Sequence, residues 1–600
     1  MKRVQDRLDR GSFSILTEVV PPVRLASVDK MYINKWYSLV AAIFLQLMGG
    51  LCYTFSLYSS SLKTALNVDQ PSLEFIASCL LSGGYFSWIP GLAYDALRHR
   101  HKFAPRFIAA GGCAVHFVGY FAVWATAKGI VQMPFWLLAA FALCGSAAVV
   151  FFDAAAIVCS MRNFPTERGN TAGTLKSFLG LSASLMSTIY VAAFQPDGLS
   201  FLLFVACLPV VVGFATIPFL NQVPYLEACE IEDQHQYMTT GKRFGVLYGA
   251  VGFIVVYQLV TAVVTETAGL SHGQSLGVMI GVLVLLATVV LAPFGSGGVI
   301  SRSAHEHSRH SSGPPDNHCS SREEEGRDGN AERGALLSNG SGGAGTQNGQ
   351  SQLGRQQSLK PGTAMPELTL PQCLVTVNFW ILWSALCVGM GAGFTMLNNL
   401  AQIVEALGGD RQAQGVYVLL FTTVNTLGRM TGGYLPEKLL HARGTPRTIF
   451  APVASAMTCV VALLSAFTNL RWLLGCAITF GFVFGWHWSL MPVLTSELFG
   501  LQHFASNHAL MHLAPTIGGL LMSATLAGNV YSSRGRAHND PMGSCFGGDC
   551  YRASFLVIAG IAAAQTIASA WLYLRTRAAY KTEYMMLKKF AEEVHGNPEE

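Results

Sequence analysis

The sequence predicts an α-helical membrane protein that crosses the bilayer many times. Apolar residues make up 51% of the chain and charged residues only 12%, roughly half the charged share of soluble proteins. The chain also contains fourteen apolar runs of about 20 residues, the length that a helix needs to cross a bilayer. Backbone groups find no water inside hydrocarbon, so each run is expected to be a helix.

The runs form two sets of six with a pair between them, which predicts two six-helix bundles and two extra central helices. They lie near 36–59, 72–94, 105–127, 134–160, 171–194 and 200–221, then 244–267 and 275–295, then 375–400, 413–435, 447–467, 471–494, 506–530 and 552–575. An alternative has twelve spans, with 244–295 lying elsewhere.

The predicted organisation has six parts. They are an N-terminal tail at 1–35, a first bundle at 36–221, a connecting segment at 222–295, a linker at 296–374, a second bundle at 375–576 and a C-terminal tail at 577–600. The linker is rich in Ser, Gly and charged residues with hardly any aliphatic content. Such a segment buries too little apolar surface to order itself, so it is predicted to be disordered.

Basic residues predict the orientation. The N-terminal tail is basic, and most Lys and Arg residues of the loops fall on the same side of the membrane. Positively charged loops favour the cytoplasm. Both termini are therefore predicted to be cytoplasmic, in a plasma membrane or a vacuolar or lysosomal membrane.

Two short patterns lie in the linker. Three histidines could bind a transition metal loosely, although an ordinary polar tract is the favoured interpretation: His305, His307 and His310. The second pattern resembles an acidic dileucine signal for a sorting adaptor: Glu332, Leu336 and Leu337.

The two bundles share a sequence feature. Gly91 precedes Asp95 at the end of the second run, and Gly433 precedes Glu437 at the end of the second run of the later set. Glycine permits close backbone approach, and the acid can meet a helix N-terminus or a nearby basic residue. The matching positions indicate an internal repeat, which is typical of transporters.

The chain resembles a known group of transporters. The stretch with Gly91, Asp95, Arg98 and Arg100 is similar to the signature of the major facilitator superfamily, with Ala96 where that signature carries a basic residue. Longer segments resemble the nodulin-like branch of this superfamily: Lys35–Ala41, Phe55–Ser59, Asn163–Pro165, Gly173–Ser182, Gly389–Gly393, Gly428–Arg429, His487–Pro492 and Ser496–Gly500. The resemblance implies the major facilitator fold and transport of a small solute, without naming the solute.

Polar groups inside a membrane are costly, so they are candidates for the transport pathway. The fold implied by the resemblance lines its cavity with the first and fourth helices of each bundle. These helices supply the candidates Gln46, Tyr53, Asp153, His487, Asn398 and Asn399. Because histidine titrates near physiological pH, His487 is proposed for proton coupling.

Other charged residues are interpreted as gates or structural ion pairs: Asp95, Arg98, Lys176, Arg429, Glu437 and Glu497. Asp153 is expected to pair with Lys176, since both lie at similar depth in adjacent helices. Arg429 is expected to clamp Glu437 or Glu497, and the alternative is that it grips the carboxylate of a solute.

The leading hypothesis is a secondary transporter of a small polar or anionic solute that works by alternating access, with proton coupling as an option. The alternatives are transport of a transition metal or iron complex, and a receptor or scaffold that does not transport. No enzyme, cofactor or nucleic-acid partner is predicted. Cys545 and Cys550, in the last outer loop, are expected to form a disulfide in an oxidising compartment.

Overall fold

Helices account for all fourteen predicted runs. The computed structural model describes residues 32–97, 100, 103–223, 240–268, 271–293, 300–301, 367–409, 411–537 and 545–595. Its long helices are α1 (Lys35–Leu66), α2 (Gln70–Leu81, Ser82–Phe86 and Trp88–Ala96), α3 (Phe103–Ala127), α4 (Phe135–Asn163), α5 (Arg168–Phe194), α6 (Gly198–Phe219), α7 (Thr240–Ala268), α8 (His272–Leu291), α9 (Val377–Ala406), α10 (Arg411–Arg443), α11 (Arg447–Ala466), α12 (Leu470–Phe499), α13 (Phe504–Gly535) and α14 (Asp549–His595).

Within the described residues, twelve of these helices are long and apolar enough to cross a membrane. The other two are α2 and α10. Helix α2 is divided by a 3₁₀ turn at Ser82–Phe86, and α10 carries Asn425 and Arg429 near its middle. Large apolar side chains such as Phe214 and Phe253 are exposed on the outside of the bundle, as expected where hydrocarbon is the solvent.

Glycines bring the two halves into backbone contact at one end of the bundle. This is the end at which α1 begins, here called the Lys35 end. A Cβ atom on Gly433 would collide with backbone atoms of Gly169 and Gly173, and one on Gly91 would collide with Ala509. Small residues let helices in a membrane approach closely, so both repeat glycines serve the contact between the halves.

The pair α7 and α8 packs beside the first half. Tyr248 on α7 donates a hydrogen bond to the carbonyl of Asn170 on α5 at 3.1 Å. Tyr257 on α7 donates to the carbonyl of Val278 on α8 at 3.3 Å. Helix α7 also contacts α10, so it covers the seam between α5 and α10.

Three boundaries differ from the prediction. Tyr32–Ile33 pairs antiparallel with Ile300–Ser301, which lies inside the predicted linker. The second half begins before 375, because Thr369 caps a short helix at Leu370–Val375 and the backbone N–H of Leu368 bonds to the carbonyl of Phe499 at 3.0 Å. Helix α14 continues through the predicted C-terminal tail to His595. In each case local hydrogen bonds extend order beyond the apolar run.

Candidate functional site

A buried carboxylate, Asp153, lies at the centre of a network that joins the two halves. From the first half, Lys176 Nζ donates to Asp153 Oδ1 at 2.5 Å, and Gln46 Nε2 donates to the same oxygen at 2.9 Å. From the second half, His512 Nε2 and His508 Nε2 lie 2.7 Å and 3.2 Å from Asp153 Oδ2. All five side chains are buried, and the ammonium of Lys176 balances the charge of the carboxylate.

Local helix geometry presents these groups. Asp153 is the last residue before a π-helical turn at Ala154–Val158 on α4; such turns recur at functional sites. His508 and His512 are four residues apart on α13, so both lie on one face of that helix. The carboxylate from one half and the imidazoles from the other therefore meet inside the bundle.

A second cationic group lies close to this network. Arg429 on α10 donates from Nη1 to the carbonyl of Lys176 at 3.0 Å and from Nε to Asn425 Oδ1 at 3.1 Å. The cationic ends of Lys176 and Arg429 lie 5.4 Å and 5.3 Å from the ring centroid of Trp488. Among the described residues no carboxylate forms a salt bridge with Arg429, although its side chain is 98% buried.

Two cavities reach these charged groups. The Asp153 cavity, of about 300 Å³, is lined by Asp153, Lys176, His512, Trp488 and Asn398, among others. The Arg429 cavity, of about 600 Å³, is lined by Arg429, Asn425, Ser184, Ser187 and Gln258, among others. Tyr53, Phe394 and Leu397 line both cavities and so form the boundary between them.

Three of the predicted pathway residues, Tyr53, Asp153 and Asn398, line these cavities. Tyr53 lines both, and Asn398 lines the Asp153 cavity. Asn398 Nδ2 donates to Ser523 Oγ at 3.1 Å, while Asn399 Nδ2 donates to the carbonyl of Thr395 at 2.8 Å. Gln46 contributes by holding Asp153. Gln46 is therefore part of the network, whereas Asn398 and Asn399 bond to other groups.

His487 occupies a different place from the one predicted. Its Nδ1 lies 2.9 Å from the carbonyl of Val483, one turn earlier on α12. Its ring faces Gly389, where a Cβ atom would collide with it. The side chain therefore packs between α12 and α9, away from both cavities. Sequence reasoning placed the histidine on the right helix but on the wrong face.

His508 and His512 are not among the predicted candidates, which come from the first and fourth helices of each bundle. The available signal was the pair of histidines four residues apart inside one apolar run, since that spacing aligns both rings on one face of a helix. A carboxylate in the other half, at similar depth, is the partner that such a pair needs.

Charged residues also close the Lys35 end. Asp95 Oδ2 accepts from the backbone N–H and the hydroxyl of Ser506, in the first turn of α13, at 2.8 Å and 2.6 Å. Its Oδ1 accepts from Arg162 at 3.3 Å. In the same way Glu437 accepts from the backbone N–H of Gly169, in the first turn of α5, at 2.6 Å. Each repeat acid thus meets a helix N-terminus of the opposite half.

The predicted partners of Arg429 are wrong. Glu437 Oε1 accepts from Arg447 Nη2 at 2.7 Å, and Glu497 forms a salt bridge with Arg447 as well. Arg429 lies eight residues before Glu437 on α10, about 12 Å away along a helix. Arg429 therefore lines the cavity, and Arg447 is the residue that pairs with Glu437 and Glu497. Arg98 lies outside the described residues.

Other predicted sites stand apart from the network. Cys545 and Cys550 form a disulfide at the start of α14. The linker histidines and the dileucine pattern lie outside the described residues: His305, His307, His310, Glu332, Leu336 and Leu337.

Two groups in the described residues have the spacing of metal ligands. The ligand atoms of Asp153, His508 and His512 all lie within 4.8 Å of one another, and so do those of Glu167, Glu437 and His441. In each group a basic residue already pairs with a carboxylate, Lys176 with Asp153 in the first and Arg447 with Glu437 in the second. We therefore interpret both groups as hydrogen-bonded ion pairs.

Comparison with known proteins agrees with this architecture. The Nodulin-like family model matches residues 35–294, and the model described as NFD4, C-terminal domain, matches residues 364–582. The protein NUCLEAR FUSION DEFECTIVE 4 of Arabidopsis thaliana is 25% identical over 560 residues, which cover 91% of this chain and 90% of the relative. A probable transporter, MCH1 of Yarrowia lipolytica, is 24% identical over 218 residues, covering 34% of this chain and 44% of the relative.

A solved structure shows the same fold. A double-tryptophan mutant of XylE superposes with a TM-score of 0.50 at 11% identity, covering 92% of this chain and all of that one. XylE belongs to the major facilitator superfamily. Two helical bundles with charged groups buried between them define a membrane transporter of the major facilitator fold. The two family models together span most of the chain, which is therefore similar to the nodulin-like proteins in its first part and to the NFD4 C-terminal domain in its second.

Proposed function

We propose that this protein is a secondary active carrier of small organic anions that works by alternating access. The observation that carries the proposal is the buried guanidinium of Arg429, which lines a cavity of about 600 Å³ and forms no salt bridge with a carboxylate among the described residues. A charge inside a membrane protein normally pairs with an opposite charge. A solute carboxylate, held by two parallel hydrogen bonds, would supply that charge.

The contacts between the halves support alternating access. In this conformation the halves are joined at the Lys35 end through Asp95 and Glu437. The Arg429 cavity extends away from that end, because its lining residues Ser184 and Ser187 lie beyond Lys176 on α5. If the Lys35 end is cytoplasmic, as the basic residues predict, the cavity faces outward. Opening of the Lys35 end would break the hydrogen bonds of Asp95 and Glu437 that join the halves there.

We further propose that proton movement is coupled at Asp153. Its contacts with His508 and His512 cross between the halves, whereas its contacts with Lys176 and Gln46 stay within one half. Protonation of the carboxylate would weaken the contacts across the interface and release the ammonium of Lys176. The charged groups nearby are Lys176 and Arg429, so a solute anion would restore the balance. The imidazoles of His508 and His512 contact the carboxylate and so offer a route for the proton from the other half.

The second candidate function is transport of a transition metal or a metal complex. The cluster of Asp153, His508 and His512 favours it by spacing, but Lys176 and the nearby Arg429 disfavour a bare cation. A third candidate is a scaffold that does not transport, and this function would not explain the cavity lined by Arg429.

Uptake into proteoliposomes tests the proposal. The panel contains mono- and dicarboxylates, neutral solutes of the same size and divalent metal ions, each with and without a pH gradient. Replacement of Arg429 by Gln removes the charge but keeps a polar side chain. We expect a loss of anion uptake of at least about tenfold, because hydrogen bonds to charged groups contribute ~1.5–3 kcal/mol. Uptake of neutral solutes or metal ions alone, or anion uptake that survives Arg429→Gln, would overturn it.

A further inference from the structure

The accessory helix α7 contributes a polar side chain to the wall of the Arg429 cavity. Gln258 lines this cavity and also a lateral cavity of about 340 Å³ between α5, α7, α8 and α10. Ser184, Ser187 and Leu419 line both cavities as well. The two spaces therefore meet at Gln258, on a helix that belongs to neither six-helix bundle.

One polar atom of the side-chain amide of Gln258 has no hydrogen-bond partner among the described residues. The residue is 95% buried. Its Oε1 lies 2.9 Å from Thr188 Oγ1, and its Nε2 has no hydrogen-bond partner among the described residues. Thr188 Oγ1 also lies 3.1 Å from the carbonyl of Ser184, to which it can donate.

The hydroxyl of Thr188 has one proton, so it can satisfy only one of these acceptors fully. If it donates to Gln258, the amide nitrogen of Gln258 remains without an acceptor. If it donates to Ser184, the amide turns to donate to Thr188, and its oxygen remains without a donor. In either orientation one amide atom of Gln258 lacks a partner among the described residues and is free to bond to a group in the cavity.

We propose that Gln258 binds a neutral hydrogen-bonding group of the solute, a hydroxyl in the first place, while Arg429 binds its anionic group. A hydroxyl both donates and accepts, so it satisfies Gln258 in either orientation. The inference rests on the proposed function and names its solute class: hydroxylated organic anions. It also gives α7 a role in selectivity, in addition to covering the seam between the halves.

The apolar lining between these two polar points supports this class of solute. Leu181, Val255 and Leu419 line the same cavity as Arg429 and Gln258. Such a wall suits the carbon chain of the solute and offers no group to bind a second charge. Most small-molecule sites combine an apolar wall with a few polar groups that fix orientation.

A pair of anions that differ by one hydroxyl tests the inference. Binding to the full-length protein in proteoliposomes is measured for two pairs of monocarboxylates, lactate against propionate and 3-hydroxybutyrate against butyrate. Gln258→Met keeps the length of the side chain and removes both polar atoms. We expect it to weaken binding of the hydroxylated anion by about tenfold, since a site built to bond a hydroxyl discriminates through it. Binding of the matched anion without the hydroxyl should not change.

Two further variants separate the outcomes. Tyr257→Phe removes the neighbouring hydroxyl of α7, which bonds toward α8, and it should leave the ratio of the two affinities unchanged. Gln258→Asn shortens the amide and provides a second test if Gln258→Met does not fold. An unchanged ratio in both Gln258 variants overturns the inference and leaves the role of Arg429 standing. If the wild-type protein binds neither anion, the inference falls together with the proposed function.

Discussion

The carboxylate of Glu437 accepts a hydrogen bond from the backbone N–H of Gly169 at 2.6 Å and so ties α10 of the second half to the start of α5 in the first. Asp95 and Ser506 make the equivalent contact between α2 of the first half and α13 of the second. Each half thus offers one acid at the end of its second helix to a helix N-terminus of the other half. This exchange explains why both acids follow a glycine at the same spacing.

Close backbone contact at the Lys35 end should be required for transport. A Cβ atom on Gly433 would overlap backbone atoms of Gly169 and Gly173, so Gly433→Leu should hold the halves apart at this end. We expect uptake to fall to background and hydrogen exchange to rise near Gly169. The matched control is Gly249→Leu on α7, where a Cβ atom has no neighbour within 4 Å. Wild-type uptake by Gly433→Leu would contradict the prediction.

Asp153 and Lys176 should be coupled in stability. Asp153→Asn leaves a buried ammonium without its partner, a change that typically costs ~3–5 kcal/mol. Lys176→Met leaves the opposite charge. In the double variant neither charge remains, so we expect it to melt at a higher temperature than either single variant. Thermal unfolding in detergent measures this cycle, and strictly additive effects of the two changes would rule out the pair.

His512 and His487 should respond differently to substitution. His512 contacts Asp153 across the interface, whereas His487 bonds to its own helix. We expect His512→Gln to abolish the stimulation of anion uptake by an inward-directed proton gradient. His487→Gln should retain that stimulation. If His487→Gln lost the stimulation by the proton gradient and His512→Gln kept it, the proton pathway would involve α12 and not Asp153 with His512.

The disulfide between Cys545 and Cys550 should stabilise the protein weakly and report orientation. The two cysteines are separated by five positions in the sequence. For so short a loop, the entropy of loop closure predicts a stabilisation of about 2 kcal/mol. If both termini are cytoplasmic, an impermeant reductant followed by an impermeant maleimide should label intact cells at this loop. A Cys545→Ser/Cys550→Ser variant gives the background. For protein that is located in the plasma membrane, labelling that requires permeabilised cells would reverse the orientation.

The helices could be predicted from the sequence because the thickness of hydrocarbon fixes their length. Every predicted run corresponds to a helix in the described residues, and the proximity of Asp153 to Lys176 followed from their equal depth. Depth is encoded along the chain, and therefore one sequence suffices to estimate it.

The direction in which a side chain points could not be predicted in the same way. A helix that is apolar on all sides gives no sign of which face meets the cavity, so His487 was assigned to the wrong face. Partners from the other half depend on how the bundles dock, which hid the contact of His512 with Asp153. Arg429 was given a gate partner because its reach along α10 was judged without its neighbours.

The pairing of Asp153 with Lys176 has a consequence for biosynthesis. An isolated Asp or Lys at the centre of a helix costs ~2.5–3.5 kcal/mol during insertion by the translocon. His512 follows Asp153 by 359 residues, which takes roughly 20–70 s to synthesise at usual ribosome speeds. Lys176 follows it by only 23 residues. Lys176 can therefore neutralise Asp153 in the bilayer during synthesis of the first half, before His508 and His512 have been made.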